Sequence, residues 1–539
     1  MAETGATKGN NRRERADATG RRPARARMGG REARHALRAA GTEGNVVRPG
    51  LDGGAYKPLT ERDMQRIYDT ALSILENIGI AEPIPEILHY ALPGGCWLDE
   101  RGRLRFPRAL VEDLIDVSAK TYTAYAPDPA YDCEIRAERV YFSTSGESVS
   151  ILDYEKQAYR PTRLVDLYDA ARLADSLEHI HMFGQPFIAA EYSEDLYVHD
   201  INIAYAELAG TCKHFALGIA EVDHIEPLIA LFDAWLGEEG GFLRRPFCTF
   251  GGCPIVSPLR FGKDNAEVLV KMAQLGLVGD IAVAPQAGAT APAALAGALA
   301  QSFAETLSCL AVMNLVRPGS ALNFGMWPFI SDLRTGAFSG GSGEEALVMA
   351  ASAQLCNRFG FITSVASGMT DAKVMDAQAG YEKAITTTAL ALAGGNLLAA
   401  YPGIVGSLLG QSFEGLVIDN DMFGNVQRLL RGIEVTDETL SYAVIEETVH
   451  GSGHYLGHPQ TLELMQTEYL YPGVADRRTA GEWAVTGKQD VSELAHYKVR
   501  EILSGHYPEY IGPAADRRIR ERFPIRLAPE DMRPGNGRW

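Results

Sequence analysis

Residues 367 to 403, SGMTDAKVMDAQAGYEKAITTTALALAGGNLLAAYPG, concentrate Thr370, Asp371 and Lys373, then Asp376, Gln378, Tyr381 and Glu382, a set able to hold and orient a charged small molecule. Acidic groups in a first helical turn commonly cap the helix or complement its dipole. Asp376 reads equally as a cap or as a site residue, whereas Asp371 and Glu382 read as more than caps. A second stretch, ETVHGSGHYLGHPQTLELMQTEYLYP over residues 447 to 472, spaces His450, His454 and His458 at four-residue intervals. On one continuous helix they would share a face and suggest metal ligands. Gly451, Gly453, Gly457 and Pro459 argue against that helix, so we expect a loop and no bound metal. Cys248 and Cys253 on one strand should point to opposite faces, which leaves a thiolate zinc site unsupported. The Gly-rich GGCP and SGGSGEEA (residues 339 to 346) lack both the Walker lysine and the G-x-G-x-x-G spacing; the second reads as a capped helix start before Glu344. Nucleotide binding is rejected.

The elements that position these residues follow a repeating beat. Between residues 138 and 405 a short β-prone run ending in Gly or Pro, followed by an amphipathic helical stretch, recurs eight times. The runs are VYFSTSG (140 to 146), HIHMFGQP (179 to 186), HFALGIA (214 to 220), PFCTFGGCP (246 to 254), DIAVAPQAG (280 to 288), ALNFGMWP (321 to 328), FITSVASG (361 to 368) and NLLAAYPG (396 to 403). Helical segments such as Pro292 to Leu315 and Glu344 to Arg358 lie between them. Strand and helix alternating in this way suit parallel pairing, because each strand needs a crossover back to the same edge. Eight units predict an α/β fold, a TIM (βα)8 barrel with its active site at the carboxyl ends of the strands. The histidine segment then reads as a loop over the barrel mouth. Residues 1 to 50 read as a disordered Arg-rich tail, 56 to 135 as a helical preface, 136 to 410 as the barrel, 411 to 515 as a helical extension and 516 to 539 as a tail. In the preface, Thr60 should cap a helix that stops at Gly79.

With 539 residues, 46% of them hydrophobic, the chain can bury a large core, and its formal charge of −18 lacks the basic face that nucleic acid requires. Seven scattered cysteines fit reduced thiols and a cytoplasmic location. We expect no membrane span, because the Ala-rich stretch 281 to 316 is interrupted by Pro285, Pro292, Glu305 and glycines.

The blocks TDAKVMDAQAGYEK, LLAAYPGIVGSLLGQSFEGLVIDNDMFGNVQRLLRGIEV and HYLGHPQTLELMQTEYLYPGVADRRTAGEW resemble the trimethylamine methyltransferase family, over about residues 56 to 510. The resemblance implies a TIM-barrel enzyme that passes a methyl group from a methylated amine to the cobalt of a separate corrinoid-binding protein. It implies no tightly bound cofactor of its own, the corrinoid (cobalamin) being supplied by that partner. Founding archaeal members use pyrrolysine for trimethylamine. Every position here is a standard residue, so the chain is more similar to the branch lacking pyrrolysine, members of which demethylate glycine betaine and related quaternary amines.

Chemistry supports that shift. A quaternary ammonium already carries a neutral tertiary amine as leaving group, so the site must align the carbon, exclude water and hold a permanent cation. Aromatic rings and carboxylates hold such cations. Candidate rings at strand ends are Phe324, Trp327 and Phe329 after strand six, Tyr381 in the seventh unit, Tyr401 after strand eight and Phe413 beyond it, with Trp327 and Tyr401 foremost. Asp371 and Glu382 are candidate counter-charges, and Lys373, His454 and His458 candidate partners for a betaine carboxylate. The histidines could instead contact the corrinoid or its carrier, docked around residues 411 to 475. Gln286 and Asn323 are candidates to orient substrate, alongside Gln378. The alternatives are a non-catalytic binder of quaternary amines and an enzyme using trimethylamine as donor. Homo-oligomerisation is also compatible with a barrel of this size.

Overall fold

The computed structural model describes residues 46–539, so most of the Arg-rich segment lies outside the described residues. Eight short parallel strands form the centre: β1 (Arg139–Ser143), β2 (Phe183–Gly184), β3 (Phe215–Gly218), β4 (Cys248–Gly252), β5 (Gly279–Ile281), β6 (Leu322–Gly325), β7 (Ile362–Ala366) and β8 (Leu397–Ala399). From β2 to β8 each pairs in parallel with the next, and β8 pairs in parallel with β1. A parallel bridge between Ser143 and Met182 links β1 to the approach of β2. With Leu51–Asp52 added antiparallel to β1, the result is a curled nine-stranded sheet in a barrel-like α/β fold. Each of the eight runs read from the sequence overlaps one of these strands, and six contain theirs whole; β1 and β5 begin one residue earlier, at Arg139 and Gly279.

A helix follows each strand: α1 (Leu164–Asp175), α2 (Leu196–Gly210), α3 (Ile225–Leu236), α4 (Lys263–Leu275), α5 (Leu295–Val316), α6 (Gly343–Arg358), α7 (Ala377–Ala393) and α8 (Phe413–Arg431). The last three, α6, α7 and α8, open on capping side chains. Ser342 accepts from Glu345 N, Asp376 from Gln378 N and Ala379 N, and Ser412 from Gly415 N. α5 corrects one expectation. At 22 residues it is long and apolar enough by length and composition to cross a membrane, but 83% of its most apolar window is buried inside the fold. It packs against the preface helices Glu61–Asn77 and Arg108–Val117. Thr60 caps the first of these as expected, accepting from Asp63 N.

At the amino ends of the strands lies the hairpin Thr121–Ala124 with Cys133–Arg136. Asn396, just before β8, donates to the carbonyl of Arg139 at 3.0 Å, and His214, just before β3, bonds the carbonyl of Tyr125 at 2.5 Å. Residues from Asp516 onward are packed rather than free. Tyr205 donates to Asp516 at 2.5 Å, and the terminal Trp539 donates to Asp169 at 2.8 Å.

Residues 434–471 form a separate compact unit. Within it, helix Tyr442–His450 ends at the first of the spaced histidines, and His458 caps Pro459–Thr467 by accepting from Gln460 N at 3.1 Å. The glycine-rich turn between them separates the three histidines onto different elements, as Gly451, Gly453 and Gly457 imply.

Candidate functional site

The interior of a closed (βα)8 barrel is ordinarily filled by bulky branched side chains. Here Gly184, Ala216, Gly218, Gly251, Ser364 and Ala399 supply much of the inner wall, and a cavity of about 640 Å³ remains. Tyr122 from the hairpin lines its amino end. The carboxyl-end wall carries Trp327 and Tyr401, their rings 6.2 Å apart at 74°. Trp327 Nε1 donates to the Ser364 carbonyl at 2.9 Å, which fixes the indole with its apolar body toward the cavity wall. Tyr401 is held at a φ of +41°.

The polar lining is acidic. Glu147, Asp200 and Asp280 contribute to it, while among the described residues neither Lys nor Arg does. Asp280 sits opposite Asn323 across β5 and β6, where adjacent strands point paired residues to the same face. It accepts from Asn323 Nδ2 at 3.2 Å and from Thr249 Oγ1 at 3.4 Å. Burial pushes its carboxyl up to about 6, with these two neutral donors opposing the rise. Burial likewise raises Glu147, with His199 opposing. Asp200 is better satisfied: its oxygens meet His199 Nδ1 at 3.1 Å and His224 Nδ1 at 2.8 Å and accept from Ala220 N at 3.1 Å. His214 is different again. Its Nδ1 faces the Tyr125 carbonyl, which can only accept, so Nδ1 carries the proton and Nε2 keeps a lone pair. Burial brings that imidazole down to about 4, leaving it neutral.

Of the residues singled out from sequence, Trp327, Tyr401 and Asn323 line this cavity, as does Phe329. Gln286 lines a neighbouring cavity of about 410 Å³ with Phe329 and Phe338. Phe324 is fully buried and stacks on Phe361 at 4.6 Å, so it belongs to the packing outside the cavity. Phe413 packs on Trp539 at 5.6 Å. Tyr381 is 56% exposed on α7. Asp371 and Glu382 lie together in a loop network. Asp371 accepts from Ser339 Oγ at 2.9 Å, Gly340 N at 3.0 Å and Ser407 Oγ at 2.7 Å. Glu382 accepts from Thr370 Oγ1 at 2.5 Å, Asp371 N at 2.8 Å and Gln378 Nε2 at 2.9 Å. Lys373 donates to the Asp371 carbonyl. None of these four, Asp371, Glu382, Gln378 and Lys373, is among the cavity-lining residues. Each is committed to rim structure instead, because their donors and acceptors match one another at short range. His454 and His458 belong to the separate unit.

Sequence reasoning missed Glu147, Gln185, His199, Asp200, His214 and Asp280, all of which line the cavity. Asp280 carried a usable signal: it is the lone charge in the apolar run DIAVAPQAG, where a buried carboxylate needs a reason. His199 and Asp200 sit on α2 and carry none. No group of three or more His, Cys, Asp or Glu is placed to hold a metal ion among the described residues.

The model of the family described as "Trimethylamine methyltransferase (MTTB)" matches residues 27–526. Trimethylamine methyltransferase MttB of Methanosarcina thermophila is 30% identical over 461 residues, covering 85% of this chain and 94% of that protein. The glycine betaine methyltransferase of Desulfitobacterium hafniense (strain Y51) is 27% identical over 465 residues, 86% of this chain and 96% of its own. A trimethylamine methyltransferase MttB of D. hafniense (strain DSM 10664 / DCB-2) is 26% identical over 461 residues, 85% of this chain and 92% of its own. The match runs through the strands, the cavity lining and the rim loops alike, and the chain belongs to the trimethylamine methyltransferase family.

Proposed function

We propose that the protein is a methyltransferase built on a TIM (βα)8 barrel. It moves a methyl group from a methylated amine, quaternary for preference, to the Co(I) of a corrinoid carried by a separate protein. The observation that carries this reading is the acidic, Lys- and Arg-free cavity at the carboxyl ends of the strands, with Trp327 and Tyr401 in its wall. The glycine betaine methyltransferase among the relatives supports a quaternary donor, and the trimethylamine methyltransferases support the wider methylated-amine class. In the transfer, the C–N bond breaks with its electron pair retained on nitrogen, which leaves as a neutral amine. Reduced cobalt supplies the lone pair that forms the new bond to carbon.

The chain itself holds and aligns. The rings of Trp327 and Tyr401 attract the ammonium through their quadrupoles, about 0.5–2 kcal/mol each. Asp280 and Glu147 supply the counter-charge, worth more here than in water because the wall is largely apolar. Fixing the methyl carbon toward the open end of the barrel and excluding water are the remaining contributions. No acid is needed to release a tertiary amine from a quaternary donor, which suits a site without a Lys or Arg. The acceptor, in this reading, is a second protein in the cytoplasm.

The test mixes the purified protein with a reduced corrinoid carrier and a panel of methylated amines, and follows loss of the Co(I) absorbance and appearance of methyl-Co(III). Conversion with at least one amine is expected. Amine binding without conversion of any member of the panel would overturn the enzyme reading in favour of a quaternary-amine binder.

A further inference from the structure

We infer that the cavity takes a methylated amine cation whose non-methyl arm ends in a hydrogen-bond donor, a hydroxyl or an N–H, and carries no carboxylate; this rests on the methylated-amine reading of the site.

Charge is the first ground. Glu147, Asp200 and Asp280 line the cavity without a Lys or Arg among the lining residues. The buried cations of this part of the fold are committed elsewhere. Lys213 Nζ donates to the carbonyls of Ala174, Leu177 and Ile180 at 2.7, 2.8 and 2.6 Å. Lys383 Nζ is 2.9 Å from Asp419. Lys373, whose ammonium could have met a carboxylate, donates to the Asp371 carbonyl outside the cavity. Asp200 faces His199 and His224, and a cation entering this space neutralises charge on Glu147 and Asp280, which have no ion-pair partner among the described residues. A zwitterion adds a carboxylate to a site that already holds three and whose one lining histidine beside them, His199, already faces Asp200 through Nδ1, so its desolvation goes largely unrelieved.

The second ground is the hydrogen-bonding sense of the inner end. The Asp280 oxygens each receive one neutral donor, at 3.2 and 3.4 Å, and retain lone pairs. His214 keeps its Nε2 lone pair because Nδ1–H is spent on Tyr125. Two side chains that line the same space, Asp280 and His214, thus present acceptors. A buried acceptor left unmet costs free energy, and a hydroxyl or N–H relieves it whereas a carboxylate, itself acceptor-only when ionised, does not. The third ground is room: about 640 Å³ exceeds what a trimethylammonium head fills and leaves space for an arm.

Calorimetric titration of the full-length protein with choline, tetramethylammonium and glycine betaine tests this directly. Choline, a quaternary ammonium with a hydroxyl arm, is expected to bind most tightly, with glycine betaine weaker by roughly tenfold or more, the effect of one unmet buried polar contact. Asp280→Asn should cut choline affinity roughly tenfold and narrow the gap to tetramethylammonium. Glycine betaine binding as tightly as choline, or more tightly, would overturn the inference while leaving the methylated-amine reading intact. Failure of all three to bind would overturn both. The ligand series on the unmodified protein decides the matter even if the variant does not fold.

Discussion

Lys383 Nζ lies 2.9 Å from Asp419 Oδ2, with both side chains sealed from solvent. Lys383 also donates to the carbonyls of Gly368 at 2.7 Å and Tyr401 at 3.0 Å, and Asp419 accepts from Gly403 N at 2.7 Å. The pair therefore clasps both ends of the turn that carries Tyr401 into the cavity wall. A non-glycine residue held in the left-handed region costs about 1–3 kcal/mol, and surrounding structure must over-determine it; these bonds do so at Tyr401. Burial pulls the Lys383 ammonium down and pushes the Asp419 carboxyl up, each opposed by the other's charge. Lys383→Met should lower unfolding free energy in urea by about 3–5 kcal/mol, because it strands a buried carboxylate. The double variant Lys383→Met with Asp419→Leu should regain much of that stability. Amine affinity should stay low in it, since the Tyr401 carbonyl and Gly403 N–H remain unheld. Recovery of affinity together with stability would remove the positioning role.

Trp327 should contribute through its face. Trp327→Leu preserves bulk and apolar area in part but removes the quadrupole, so the dissociation constant for a quaternary amine should rise roughly 2- to 30-fold, the equivalent of ~0.5–2 kcal/mol. Trp327→Phe should fall between the two, since it keeps a ring but loses the bond to the Ser364 carbonyl. Titration calorimetry with tetramethylammonium, which has no arm to confuse the reading, measures the difference. Equal affinity for the Leu variant and the native protein would take Trp327 out of the cation site.

The barrel-like core was legible because strand and helix periods are local properties. FITSVASG and NLLAAYPG each declare a buried strand and its exit turn without reference to anything distant. The rim aromatics were legible for the same reason, as Trp327 and Tyr401 stand beside prolines at strand ends. The acidic lining was not. Its members come from β5, from α2 and from the segment after β1, and only the curling of the sheet brings Glu147, Asp200 and Asp280 around one space. Asp371 and Glu382 drew attention by crowding on one rim, but crowding in sequence favours partners in sequence. Thr370, Asp371 N and Gln378 satisfy Glu382 within twelve residues.

That difference separates two classes of carboxylate experimentally. Asp371 fastens three rim segments through Ser339, Gly340 and Ser407. Asp371→Ala should therefore cost about 1–3 kcal/mol of stability, the penalty for unmaking a partly buried bonded network. Its effect on amine affinity should be smaller than that of Asp280→Asn, which touches the cavity itself. Paired thermal-melt and calorimetric measurements on the two variants distinguish them. A larger affinity loss for Asp371→Ala, at unchanged stability, would reinstate it as the counter-charge.

Asp280 should set opposite pH trends in stability and binding. Its carboxyl stands at about 6 in the fold against an ordinary value of 3.8. Between those two values the folded protein binds this proton more readily than the unfolded chain does. The group's contribution to stability is thus present below pH ~4 and lost as pH rises through about 6, at ~1.36 kcal/mol per pH unit, so that the ionised carboxylate costs the fold about 3 kcal/mol at neutral pH. Amine cations need that same ionised form. Affinity should fall about tenfold per unit as pH drops below 6 and level off above it. Of the groups around it, Thr249 and Asn323 do not titrate, Tyr122 is held protonated by burial and His214 is neutral down to about 4; Glu147, also raised by burial, lines the same cavity, so the profile is measured in a Glu147→Gln background as well. Asp280→Asn should be more stable than the native protein at pH 7.5, close to it near pH 4, and should bind quaternary amines weakly with a flattened pH profile. Titrations from pH 5 to 8 and urea melts over the same range check both halves. A native profile without a break near 6, or an Asn variant with the native slope, would mean that another carboxylate holds the cation.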